Sequence, residues 1–286
     1  MIRFHMLAVA GLVLALSGCA STGSRDQTRV CPADPNQVVN SQGCINATAA
    51  EGYEYAVLAA LAYEPKPPPD FDIPEGFVVA ESCAEPACDG TEGYQYRVFH
   101  RIRGEQIVEK VIAFRGTDGR DDWATNIFGN KDQNRAALAT FLKVRGDGSI
   151  PVSVTGDSLG GALATQVSMC NAVHKRVAFN SSPRFYQSLC PGGRAVARPT
   201  DANRTLLLFS EYGEALGPTR WLGRNPDQWS TPVNCMSGAS PVDQHDVRRL
   251  AACMIHLASE GRSEDARRYR DRNRLAFDKF LPNPAD

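Results

Sequence analysis

Residues 156–160 read Gly-Asp-Ser-Leu-Gly, a G-x-S-x-G pentapeptide. A serine hydroxyl is a weak nucleophile. It attacks an acyl carbon only when a base takes its proton and a third group orients that base. The pentapeptide serves this chemistry where a strand runs into it and a helix leaves it, because the sharp turn then exposes Oγ at the sheet's end. Both flanks fit: residues 151–155 (PVSVT) form a short β-branched strand, and residues 162–175 carry a helical pattern. Gly156 and Gly160 leave room for the turn. The N–H of Leu159, at the start of the helix, is placed to hold a developing oxyanion. Read as plain structure, the same letters make a glycine-rich turn with a capping serine.

A base must follow. His5 lies in the N-terminal targeting segment, His100 precedes Ser158, and His174 is expected at the far end of the helix after it. His245 stands just before a helix expected over 246–259, in the polar stretch 241–244, and His256 lies inside that helix. Where such an elbow belongs to an α/β-hydrolase, which this strand–turn–helix pattern resembles, the chain order is Ser, acid, His. His245 is therefore the candidate base and His256 the alternative. The acid should follow the strand at 205–209 (TLLLF), where Glu211 and Glu214 both stand.

Three segments carry a family resemblance. Phe114-Arg115-Gly116-Thr117, Asp122-Trp123-Ala124-Thr125-Asn126, and the run VTGDSLGGALA at 154–164 together resemble the class 3 lipases, a family of α/β-hydrolases. The stretch ending Leu61-Ala62-Tyr63 is similar to that family's first helix. The resemblance implies an oxyanion hole built from Thr117 and Leu159. It also implies a lid over 118–130, and an acid at Glu214, where the family has an Asp-x-[Val/Leu] segment. Ser158, His245 and Glu214 would then form the triad, with Glu211 the other choice of acid. One position departs from the pattern: Asp157 stands where the family usually has histidine. The letters Gly-Asp-Ser-Leu also spell the signature of the GDSL esterases, where the motif falls near the domain's start rather than mid-chain.

The elements needed to position these residues are legible as an alternation. A helix is expected over 46–63, a proline-rich connector over 64–70, two strands over 94–102 and 107–114, and a helix over 134–144. The nucleophile strand and helix follow, then strands at 176–180 and 205–209, then helices over 246–259 and 264–280. Strands alternating with helices predict an α/β fold: an α/β-hydrolase with a mainly parallel central sheet flanked by helices.

Residues 7–16 (LAVAGLVLAL) form an apolar run too short to span a bilayer, after Arg3 and His5. The run ends in Leu16-Ser17-Gly18-Cys19, which resembles a bacterial lipobox. That predicts a signal peptide over 1–18, a diacylglycerol on Cys19, a tether over 19–45 and the hydrolase domain over 46–286. Ala20 after the lipidated cysteine points to the outer membrane of the cell envelope, and the anchor makes the membrane a partner. Nine cysteines less Cys19 leave eight, an even number suited to disulfides in an oxidising compartment. They fall into local pairs, 31 with 44, 83 with 88, 170 with 190 and 235 with 253. The composition, 43% apolar and 22% charged, suits a folded core, and a net charge of −1 gives no electrostatic support to nucleic-acid binding. The expected substrate is an acyl ester or lipid, with no cofactor and no metal. The competing class is an envelope lipoprotein that keeps the fold for binding alone.

Overall fold

A computed structural model describes residues 31, 41–64, 69–83, 87–88, 90–116, 131–183, 185–195, 205–220 and 230–281. Its frame is a seven-stranded sheet, in the order β1-β4-β5-β6-β7-β8-β9. The strands are β1 (Phe77–Cys83), β4 (Tyr96–Arg103), β5 (Gln106–Phe114), β6 (Val152–Asp157), β7 (Lys175–Phe179), β8 (Thr205–Glu211) and β9 (Thr231–Val233). A small hairpin of β2 (Ala87–Cys88) and β3 (Thr91–Glu92) stands apart. β1, β4 and β5 pair antiparallel, and every pairing from β5 through β9 is parallel. The chain therefore has the α/β fold expected, with a mostly parallel sheet and helices on both faces.

Alternation along the strands sorts side chains between two cores. Val111, Ala113, Val177, Phe179, Leu207 and Phe209 pack toward α1 (Gln42–Leu61) and the long helix Val247–Glu260. Ile112, Phe114 and Val154 pack the other way, toward α2 (Asp132–Arg145) and α3 (Leu159–Cys170). The helix Val247–Glu260 is α4; Glu264–Arg272 and Arg274–Phe280 are α5 and α6. Gly52 of α1 admits the closest contact in the first core, since a Cβ there would lie 2.8 Å from the Phe209 ring. The Phe179 and Phe209 rings stack beside it at 5.6 Å.

Several boundaries differ from expectation. α1 begins at Gln42, so the predicted junction between tether and domain falls inside the helix. Ser41 caps it by accepting from the Cys44 N–H at 3.2 Å, and the Cys31–Cys44 bridge holds the same end. The nucleophile helix starts at Leu159 and ends at Cys170, because Asn171 turns extended and the His174 N–H joins the Val152 carbonyl at 2.8 Å. His174 thus leads into β7 instead of ending a helix. The expected helix over 264–280 breaks at Asn273, whose Oδ1 accepts from the Asp72 N–H at 2.7 Å. β1, the β2–β3 hairpin and β9 were not anticipated.

All four local cysteine pairs are bridged: 31–44, 83–88, 170–190 and 235–253. Among the described residues no helix is long and apolar enough to cross a membrane. Cys19, the lipobox and most of the tether lie outside the described residues.

Candidate active site

The pentapeptide forms a strand–turn–helix elbow between β6 and α3. Ser158 takes φ 57° and ψ −120°, a backbone conformation that costs an L-residue on the order of 1–3 kcal/mol and persists only where its surroundings enforce it. The enforcement is visible. The Ser158 N–H donates to the Phe179 carbonyl at 3.0 Å, and the Ser158 carbonyl accepts from the N–H groups of Ser182 at 3.0 Å and Ala162 at 3.2 Å. Glycines let the backbones meet: a Cβ at Gly160 would lie 2.1 Å from the Phe114 carbonyl oxygen, and one at Gly156 would lie 2.5 Å from the Gly160 backbone. Leu159 is the first residue of α3, where backbone N–H groups lack intrahelical acceptors.

Glu214 follows β8, and His245 ends a one-turn 3-10 helix, Asp243–His245, immediately before α4. Their side chains meet: His245 Nδ1 lies 2.5 Å from Glu214 Oε2. A carboxylate can only accept, so Nδ1 carries the proton and Nε2 is the ring's accepting nitrogen. The same Oε2 accepts from the Leu216 N–H at 2.9 Å, which fixes the carboxylate, and its side chain has no solvent exposure. Ser158, Glu214 and His245 all follow β6, β8 and β9 at the carboxyl edge of the sheet. The Asn180 N–H donates to the Phe209 carbonyl at 2.9 Å, and its Oδ1 accepts from the Glu211 N–H at 3.0 Å, tying the strand ends together there.

Glu211, the other acid considered, is committed elsewhere. Its Oε1 accepts from the Met236 N–H at 2.8 Å, and burial pushes its carboxyl up to about 7, against which the backbone donors of Met236 and Cys235 pull down. With Cys235 and Cys253 it forms a close group of metal-ligand types, but both sulfurs are joined in a bridge and offer no thiolate. His256, the other base considered, lies within α4 with its ring 6.5 Å from that of Phe277. His100 sits on β4 opposite Lys110, and burial, with that lysine, lowers its pKa.

Two supports carry roles that the sequence does not indicate. Gln244 Nε2 donates to the Met236 carbonyl at 3.1 Å, and Gly213, at φ 84°, makes room for it: a Cβ there would lie 3.0 Å from Gln244 Oε1. Tyr63, just beyond α1, accepts from the Gly116 N–H at 2.9 Å. It donates toward Asp157, whose carbonyl and Oδ2 lie at 3.4 and 3.5 Å. Asp157, the departure from the lipase pattern, is buried and faces this hydroxyl. Tyr63 thus joins α1, the elbow and the backbone leading to Thr117. Thr117 and the lid segment 118–130 lie outside the described residues.

Residues 54–189 match the family model of a Tle-like phospholipase domain. The matched region holds the elbow and Tyr63 and spans just under half of the chain. No curated protein sequence matches the chain. Among solved structures, it is similar to carboxyl esterase 2 of the fungus Tuber melanosporum. The identity is 12%, with 80% of this chain and 98% of that one covered, at a TM-score of 0.33. It is also similar to an esterase of Pyrobaculum calidifontis, with 11% identity, coverage of 84% and 96%, and a TM-score of 0.36. The sheet order and the elbow, rather than these loose superpositions, carry the fold assignment. The phospholipase-like match supports carboxylic ester hydrolase chemistry.

Proposed function

We propose that the protein is a serine hydrolase that cleaves acyl esters of the phospholipid type at the cell envelope. The observation that carries the proposal is the buried 2.5 Å contact of His245 Nδ1 with Glu214, at the sheet edge that also bears the strained Ser158 elbow. In this reading His245 Nε2 takes the Ser158 Oγ proton as Oγ attacks the ester carbonyl. The Leu159 N–H, with that of Thr117, holds the oxyanion. His245 then returns the proton to the leaving alcohol. Water, deprotonated by His245, releases the acid from the acyl-enzyme and restores Ser158. Glu214 holds the imidazole's tautomer and stabilises the imidazolium. Diacylglycerol on Cys19 would keep the enzyme on the outer membrane, beside lipid substrates.

A fluorophosphonate probe separates this reading from a binding-only lipoprotein. Covalent labelling of the wild type, absent in Ser158→Ala, is the expected result. A folded wild type that takes no label, and releases no fatty acid from phospholipid vesicles, would overturn it.

A further inference from the structure

Arg176 is the second residue of β7, and alternation turns its side chain toward α3, into a layer otherwise lined by Val154, Leu163 and Val167. It is 4% exposed. Its one hydrogen bond among the described residues is from Nη1 to Ser168 Oγ, long at 3.5 Å, and its buried Nε has no acceptor there. Among the described residues no carboxylate pairs with it, and burial pushes the guanidinium down to about 10. A buried cation without a partner is costly, and a chain that needed only packing would place an apolar side chain here. The neighbouring position on β8 is Leu206, in register with Arg176 and so on the same face of the sheet. α3 lies against β5, β6 and β7, and beyond it Leu206 is 41% exposed. On this face the Arg176 guanidinium is buried against Ser168 of α3, and the exposed Leu206 side chain stands beside it on β8.

We propose that Arg176 and Leu206 form a binding site for an anionic amphiphile, a carboxylate with an aliphatic chain. The head group pairs with the guanidinium and the chain lies along Leu206. The site is separate from Ser158, and the proposal does not depend on the chain being an enzyme. A guanidinium matches a carboxylate by paired N–H donors, and low dielectric strengthens that pairing. Contact with Leu206 adds selectivity for a chain over acetate, since each methylene removed from water adds several-fold in affinity.

The test is thermal denaturation of the full chain with octanoate below its micellar concentration, with acetate and octanol as controls. The expected result is a saturable rise in Tm with octanoate. Acetate should need at least about tenfold more ligand, because it lacks the chain, and octanol should give no comparable rise. Arg176→Met should abolish the octanoate response and melt no lower than the wild type without ligand. Leu206→Ser should raise the octanoate concentration required several-fold and leave the acetate response alone. It serves as the independent check if Arg176→Met does not fold. A wild type that shows no octanoate-dependent rise, or an Arg176→Met protein that responds as the wild type does, would overturn the proposal.

Discussion

Ser158, His245 and Glu214 act as a unit if the proposed chemistry holds, so single losses should not add. On a short acyl ester, Ser158→Ala and His245→Ala should each lower kcat by roughly 10⁵–10⁶-fold, and Glu214→Gln by about a hundredfold less than that. Glu211→Gln should be mild, since the amide oxygen can still accept from the Met236 N–H. If Glu211→Gln cripples turnover while Glu214→Gln does not, the acid has been misassigned. Glu211 also makes a stability prediction. Its carboxyl sits near 7 in the folded chain, above its usual value of 4.5. The folded state therefore binds the proton more tightly than the unfolded state does. This group favours folding below pH 4.5, and that contribution is lost as pH rises through 7. Urea denaturation of Glu211→Gln and wild type should diverge across that window in favour of the glutamine, by on the order of 3 kcal/mol at its upper end. Parallel curves would mean that the carboxyl is ordinary.

Short elements with strong local patterns are legible in the sequence: β6 from its β-branched run, α3 from its glycine entrance, α4 from its apolar stripe. Edge elements are not. β9 has three residues and contains Pro232, and β1 follows a proline-rich stretch; each is a strand because a neighbour pairs with it. Helix ends were misjudged where distant atoms terminate them, as Asp72 does at Asn273. The cysteine pairs were legible because each joins segments close in sequence. The 170–190 bridge ties the end of α3 to the loop after β7, where Gln166 Oε1 also accepts from the Tyr186 N–H at 2.8 Å. Replacing both cysteines by alanine should cost about 2–4 kcal/mol in chemical denaturation. A change below about 0.5 kcal/mol would mean that the side-chain network of Gln166 suffices alone.

At the scale of the molecule, the order Ser, acid, His points to the loops after β8 and β9, and the resemblance to the class 3 lipases is what favours Glu214 over Glu211; in the structure Glu214 is the carboxylate that meets His245, at 2.5 Å. The choice depends on which carboxylate the turn at Gly213 swings toward the 3-10 helix ending at His245. The expected anchor is a whole-cell property: Cys19→Ser should move the protein from the membrane fraction to the soluble periplasm. Wild type that is soluble without detergent would end that expectation. The elbow has a further consequence. Ser158 holds a conformation that suits glycine better than any L-residue, and only its hydroxyl offers a reason to keep a side chain there. Ser158→Gly should therefore unfold at higher urea than Ser158→Ala, by about 1 kcal/mol, despite the looser unfolded chain that glycine brings. On the proposed chemistry, catalysis and durability pull this one position in opposite directions. A descendant released from the need to turn over substrate would drift toward glycine there, and that letter would mark a retired enzyme, longer-lived and chemically mute.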